Sequence, residues 1–153
     1  MIPVFQSVTD HNPEEGRFGD CLAASIASIF EIPLAKMPNF NEGAAGFDGD
    51  AQTALVRTFC LRRSLQFMWV AMPPEALAQW RLNLAADNAE VFHVFSGKSK
   101  RGFQHACVGL NGRVVHDPHP AMGEIEPYDG LYTFGLFLPT SALLGAHTRR
   151  GSL

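Results

Sequence analysis

Residues 103–118 read FQHACVGLNGRVVHDP, and this stretch predicts an antiparallel hairpin. Two apolar segments, 103–110 and 113–116, flank the pair Asn111-Gly112, which is a strong hairpin signal because both residues tolerate a left-handed backbone. Helical patterns precede this hairpin, and strand patterns dominate around and after it. That order predicts an α+β fold with an antiparallel sheet rather than a doubly wound parallel sheet.

The chain has 153 residues, which fits a single domain spanning residues 1–153. Apolar residues make up 46% and charged residues 18%, a composition that excludes a disordered charged tail. The net charge of −3 predicts no general attraction to nucleic acid or to an anionic membrane. No apolar run reaches the roughly 18 residues of a membrane span. Three widely spaced cysteines favour a reducing compartment, and we therefore expect a cytoplasmic protein.

A cysteine opens the first predicted helix, which covers residues 21–30. Leu22 and Ile26 begin an apolar stripe at helical spacing, and Asp20 occupies the position expected of an N-cap. Backbone N–H groups and the helix dipole would stabilise a thiolate at Cys21. The alternative is that Cys21 is a small buried apolar residue, as free cysteines usually are.

The register of the hairpin decides whether its histidine and its aspartate meet. A two-residue turn pairs Leu110 with Arg113 and places His105 and Asp117 on opposite faces. A three-residue loop pairs Gly109 with Arg113 and places His105 opposite Asp117. A Cys-His-Asp triad therefore requires the longer loop, or a β-bulge elsewhere in the hairpin.

Three short motifs occur in a recognisable order: Gly19-Asp20-Cys21, then His105 followed by small and branched residues, then Asp117-Pro118. This order resembles the papain-like cysteine hydrolases, and especially small bacterial and phage branches such as cell-wall amidases and the leader-cleaving peptidases of bacteriocin transporters. The resemblance implies a papain-like fold in which the Cys-bearing helix packs on an antiparallel sheet carrying His and Asp. It further implies a nucleophile at Cys21, a base at His105 and an orienting acid at Asp117.

The activity implied by the resemblance is that of a thiol protease or amidase. Such an enzyme cleaves an amide, peptide or isopeptide bond through an acyl-enzyme, and it needs neither a metal nor an organic cofactor. The expected partner is a peptide or protein substrate, and nothing in the sequence indicates an oligomeric state. Deamidation or acyl transfer would use the same triad.

The oxyanion hole departs from the family pattern. Papain-like enzymes place a glutamine shortly before the cysteine, where this chain has Glu15, and an ionised carboxylate cannot donate a hydrogen bond. We expect Gln6, on a strand predicted for residues 2–9, to replace it, with the backbone N–H of Cys21 as the second donor. Asn12 is the other candidate. Four residues are expected at the rim of the cleft: Asn12, Asp20, Trp69 and His119.

Two other functions remain open. The missing glutamine favours a catalytically inactive binding or adaptor domain on the same scaffold. A zinc site could instead use His105 and Cys107 together with His116 and His119, since these residue types are zinc ligands. The register that joins His105 to Asp117 turns His116 away, and the sequence has no CxxC motif, so we expect no metal.

Overall fold

The computed structural model describes residues 1–41, 49–121 and 123–140. Within these ranges the chain forms three α-helices and one antiparallel sheet of six strands, which confirms the α+β class. None of the helices described is long and apolar enough to cross a membrane. In chain order the elements are α1 (Cys21–Phe30), α2 (Gly49–Leu61), β1 (Leu65–Met72), α3 (Pro74–Ala86), β2 (Phe92–Ser99), β3 (Gln104–Leu110), β4 (Arg113–His116), β5 (Ile125–Glu126) and β6 (Tyr132–Pro139).

Helices cover both faces of the sheet. Val94 belongs to an apolar cluster with residues of α1 and α2, whereas the next residue, Phe95, packs with Leu77 of α3. Successive residues of a strand point to opposite faces, so α1 and α2 lie on one face and α3 lies on the other. The first of these faces holds the candidate site.

The strand order is β1-β6-β2-β3-β4, with β5 pairing only with β2. The last strand, β6, therefore lies between β1 and β2 and pairs antiparallel with both. Helix α1 crosses β3, where the Ser25 hydroxyl donates to the carbonyl of Ala106 at 3.1 Å. This contact joins the middle of α1 to the strand that carries His105.

The hairpin between β3 and β4 closes with a two-residue turn. Asn111 and Gly112 have φ of 51° and 75°, and Leu110 lies opposite Arg113. The alternative with a three-residue loop is therefore wrong. Both central residues adopt the left-handed region, as a type I′ turn requires, and Asn-Gly is the preferred pair for that turn.

A β-bulge then corrects the register that this short turn sets. Gly109 lies opposite Val114, but Val108 lies opposite His116, so Val115 is an extra residue on β4. One inserted residue changes the face to which every later side chain points. Asp117 consequently reaches the same face as His105, which is the second of the two solutions that the sequence left open.

Residues 2–8 form no strand, so the strand predicted for residues 2–9 is wrong. Their hydrogen bonds go to isolated groups instead of a neighbouring strand. Ile2 N–H donates to the carbonyl of Ser28 in α1, and Gln6 N–H donates to the carbonyl of Pro118. This N-terminal strap, residues 2–8, therefore ties α1 to the segment that follows β4.

Candidate active site

Cys21 is the first residue of α1 and is half-buried. It borders a pocket of about 450 Å³ that His105 also borders. The first hydrogen bond of the helix runs from Ala24 N–H to the carbonyl of Asp20, at 2.9 Å, so the N–H of Cys21 lies outside the helical ladder. This N–H belongs to the same residue as the thiol, so it could donate to an oxyanion formed by attack of that thiol.

Asp20 occupies the N-cap position but does not cap the helix. Its carboxylate instead accepts hydrogen bonds from the N-terminal strap: from Ser7 N–H at 3.1 Å, from the Ser7 hydroxyl at 2.6 Å and from Val8 N–H at 2.9 Å. The carboxylate of Asp20 thus holds the strap beside the start of α1. It does not border the pocket around Cys21 in the part of the chain described.

His105 projects from β3 and forms a short hydrogen bond with Asp117. Its Nε2 donates to Asp117 Oδ1 at 2.8 Å, and its side chain is almost fully buried. Burial alone lowers the pKa of this imidazole, but the bond to Asp117 and contacts with the thiols of Cys107 and Cys21 raise it above the ordinary value. The structure therefore brings the three predicted catalytic residues, Cys21, His105 and Asp117, into one chain of contacts.

Only one of the two carboxylate oxygens of Asp117 has hydrogen-bond partners among the described residues. Its Oδ1 accepts from His105 and also from the backbone N–H of His119 at 2.8 Å. Its Oδ2 is buried, and no hydrogen-bond partner for it exists among the described residues. The His105 ring therefore has a fixed orientation, while half of the carboxylate keeps unused acceptor capacity.

A second thiol, Cys107, adjoins this group from the same strand as His105. Burial raises its pKa to about 11, although the neighbouring His105 acts in the opposite direction. Cys60, on the buried face of α2, also has a pKa raised to about 11 by burial, and Arg63 opposes that shift. Cys107 is thus a buried thiol like Cys60, with the difference that it contacts the candidate catalytic histidine.

Gln6, the predicted oxyanion donor, lies in the N-terminal strap and is buried. Its Nε2 donates to the carbonyl of Val8 at 2.7 Å, and its Oε1 has no partner within the described ranges. Its side-chain amide comes near Gly19, yet it does not border the pocket that contains Cys21. The role of Gln6 in an oxyanion hole stays a prediction.

Of the four residues predicted at the cleft rim, Trp69 borders the pocket, and its indole N–H donates to the Thr53 hydroxyl at 3.0 Å. Asn12 pairs instead with Arg17 in a tight loop. The ring of His119 contacts the ring of His105 edge-on, with centroids 6.4 Å apart, but does not border the pocket as far as it is described.

The pocket also has walls that the sequence did not reveal. Gln52 Nε2 donates to Asn41 Oδ1 at 2.8 Å, and Asn41 Nδ2 donates to the carbonyl of Gly19 at 3.3 Å. On another side, the ring of His11 packs between two phenylalanines, Phe18 and Phe103. These residues come from loops and from the polar face of α2, where no periodicity or motif distinguishes a pocket wall from an ordinary surface.

Comparisons of the chain with protein-family models, with curated proteins and with solved structures found no match in any of the three. They therefore assign neither a family nor an activity to it.

Proposed function

We propose that this protein is a cysteine hydrolase that cleaves an amide, peptide or isopeptide bond through an acyl-enzyme. One observation carries the proposal: Cys21 begins a helix beside the imidazole of His105, and that imidazole donates to Asp117 at 2.8 Å. A nucleophile, a base and a group that orients the base are the three parts that thiol hydrolysis needs. The resemblance to papain-like enzymes, in which the same residue types follow the same order, points in the same direction.

The hydrogen bond to Asp117 supports a separate role for each ring nitrogen of His105. Nε2 donates to Asp117, so Nδ1 is the nitrogen that can take the proton from the Cys21 thiol. The resulting imidazolium is stabilised by the carboxylate of Asp117, and the thiolate by the start of α1. The thiolate then attacks the carbonyl carbon of the substrate, and the oxyanion faces the N–H of Cys21.

His105 acts a second time when the bond breaks. The imidazolium gives its proton to the leaving amine, and the thioester between the substrate acyl group and Cys21 remains. Water, deprotonated by the same imidazole, then releases the acid and restores the thiol. An amine in place of water would give acyl transfer, and a side-chain amide as substrate would give deamidation.

The pocket favours an uncharged stretch of a peptide or protein. Its described lining contains no Asp, Glu, Lys or Arg, and its ionisable side chains other than the thiol are those of His11, His105 and Tyr128. Aromatic walls such as Trp69 suit apolar groups, and the Asn41–Gln52 amide pair suits a backbone amide. We therefore propose a neutral peptide segment as the substrate, and the cytoplasm, where thiols stay reduced, as the compartment.

Two measurements test the proposal together: alkylation by a brief low dose of iodoacetamide, and turnover of an activated ester. We expect the label on Cys21, and we expect Cys21→Ala to abolish turnover while Cys60→Ala, a thiol in the core, leaves turnover intact. Wild-type turnover by Cys21→Ala would remove the hydrolase proposal. Dominant labelling of Cys107 would show that the activated thiol is a different one.

A catalytically inactive binding domain is the second candidate, and the position of Gln6 favours it. Its amide donates to Val8 and does not border the pocket, so the oxyanion hole would keep only the N–H of Cys21. Loss of one donor from such a hole typically reduces turnover by about 10²–10³-fold. A protein that binds neutral peptides, but is not rapidly alkylated by iodoacetamide and does not hydrolyse the ester, would match this candidate.

A further inference from the structure

The proposed base and acid belong to a second arrangement as well. His105, Cys107 and Asp117 each offer one ligand atom, and these three atoms lie within 4.8 Å of one another. Imidazole nitrogen, thiolate sulfur and carboxylate oxygen are the three donor types that zinc takes in proteins. Hydrolysis by Cys21 does not use the thiol of Cys107.

The carboxylate of Asp117 provides an independent sign of a ligand. Its side chain is 10% exposed, and its Oδ2 is buried without a partner, whereas Oδ1 already accepts from two N–H groups. A buried acceptor without a partner destabilises a fold, because it loses its hydrogen bonds to water and gains none in return. A cation bound beside Oδ2 would supply the missing interaction.

We propose that His105, Cys107 and Asp117 bind a zinc ion and that this ion switches the hydrolase off. Zinc would bind Nε2 of His105, the proton of that nitrogen would move to Nδ1, and the thiol of Cys107 would release its proton to water on binding. A metal-bound imidazole has no free lone pair for the proton of Cys21, so thiolate formation would stop. No electron transfer is involved, and removal of the ion restores the triad.

The chemistry of the three ligands also selects the ion. Two anionic groups, the thiolate and the carboxylate, would balance the charge of a divalent cation in a buried site. Magnesium and calcium prefer sets of oxygen ligands, so a site with one sulfur and one nitrogen should reject them. Zinc binding by this cluster does not require the proposed function. Only the switch rests on the proposed function.

The site is best tested in the full chain carrying Cys21→Ser, so that the proposed nucleophile cannot contribute a ligand. Zinc affinity is measured by competition with a chromophoric chelator, before and after adding Cys107→Ala or the control Cys60→Ala. Cys60 suits this role because it is an equally buried thiol without a histidine neighbour. We expect one zinc per chain, a loss of about tenfold or more with Cys107→Ala, and no comparable loss with Cys60→Ala.

Three further measurements support the interpretation of this result. Asp117→Asn preserves the shape of the side chain and should weaken zinc binding as well, which covers the case that Cys107→Ala does not fold. Cobalt(II) should give a thiolate charge-transfer band that Cys107→Ala removes and Cys60→Ala keeps. Magnesium should not compete with zinc.

Equal zinc affinity of the Cys107→Ala and Cys60→Ala variants would overturn the site. So would binding that needs Cys21 but not Cys107, since the ion would then lie on the catalytic pair alone. The switch is tested separately: zinc should abolish ester turnover by the wild-type protein, and a chelator should restore it. Unchanged turnover by zinc-loaded protein would overturn the switch, whereas a protein that binds zinc but never hydrolyses the ester would overturn only the proposed function.

Discussion

Two histidines on neighbouring strands show that the hydrogen-bond partner of a buried imidazole, more than its burial, determines the direction in which its pKa shifts. His93 on β2 is 0% exposed, and His105 on β3 is 3% exposed. Yet their pKa values move in opposite directions: that of His93 falls to about 4, and that of His105 rises above the ordinary value.

The surroundings of His93 keep its ring neutral. Its Nε2 accepts a hydrogen bond from Gly112 N–H at 3.0 Å, so the proton must reside on Nδ1, which faces the carbonyl of Val94 at 3.1 Å. Burial lowers its pKa, and the bond to Val94 offsets this only in part. His93 therefore serves to hold the hairpin turn.

His105 differs because its partner carries a charge. The carboxylate of Asp117 stabilises the imidazolium, and the neighbouring thiols add to that effect. The comparison teaches that a buried histidine becomes a candidate base where a carboxylate reaches its ring, and a structural residue where backbone groups alone do. Each prediction below separates the two cases.

The largest effect is expected from removing the imidazole at each place. Under the proposed function, His105→Ala should lower kcat/KM for the activated ester by about 10²–10⁴-fold, because the proposed general base is lost. His93→Gln should lower the free energy of unfolding but leave kcat/KM of the folded fraction near that of the wild type. An equal loss of activity in a folded His93→Gln variant would contradict the distinction between a catalytic His105 and a structural His93.

Acid should destabilise the fold through His93. Its pKa is about 4 in the folded protein and near its ordinary value when unfolded, so the unfolded chain binds more protons as pH falls below that value. The free energy of unfolding should therefore drop by up to about 3 kcal/mol as the pH falls through this window towards 4. Urea unfolding of wild type and His93→Gln at several pH values checks this, and parallel pH slopes would contradict it.

A methyl group added beside His93 should act on the fold alone. A Cβ at Gly109 would lie 2.0 Å from Cε1 of His93, so Gly109→Ala must displace the ring. Such overpacking typically reduces the free energy of unfolding by about 1–3 kcal/mol. Thermal unfolding measures it, with Gly123→Ala as the control, since nothing lies within 4 Å of a Cβ built there. Equal melting temperatures for the two variants would argue against tight packing on His93.

The smallest effect is expected from a neutral partner for His105. Asp117→Asn keeps an oxygen that can accept from Nε2, but it removes the charge that stabilises the imidazolium. We expect a loss in kcat/KM of roughly 10- to 100-fold, corresponding to a weakened bond to a charged group. The pH dependence of kcat/KM should shift as well, since His105 would hold its proton less tightly. A loss equal to that of His105→Ala would show that the charge matters as much as the base.

The sequence predicts the regular elements well where one local signal dominates. Helix α1 has the predicted bounds, because its apolar stripe keeps helical spacing over residues 21–30. Asp20, the predicted N-cap, does not cap the helix, and its carboxylate accepts hydrogen bonds from the N-terminal strap instead. The β3–β4 hairpin follows from Asn111-Gly112. Both features depend on near neighbours in the chain, where backbone preference and side-chain spacing are sufficient.

Features that depend on contacts between residues far apart in the chain could not be predicted from the sequence. The bulge at Val115 arises in the pairing of two strands, and both loop lengths are compatible with the same Asn-Gly pair. The N-terminal strap has the apolar pattern of a strand, but single groups such as the carbonyl of Pro118 take its hydrogen bonds. The pocket walls at Asn41 and Gln52 are polar residues that only the folded chain brings to Cys21.

The position of β6 between β1 and β2 determines when the pocket can form during synthesis of the chain. The pocket takes Trp69 from β1, Ser96 from β2 and Thr133 from β6, and β1 reaches β2 only through β6. Cys21 leaves the ribosome more than a hundred residues before β6 is complete, roughly 6–24 seconds earlier at ordinary rates of synthesis. During that interval the emerging chain carries its thiol without a pocket to hold a substrate. The complete pocket therefore forms only after β6 has been synthesised.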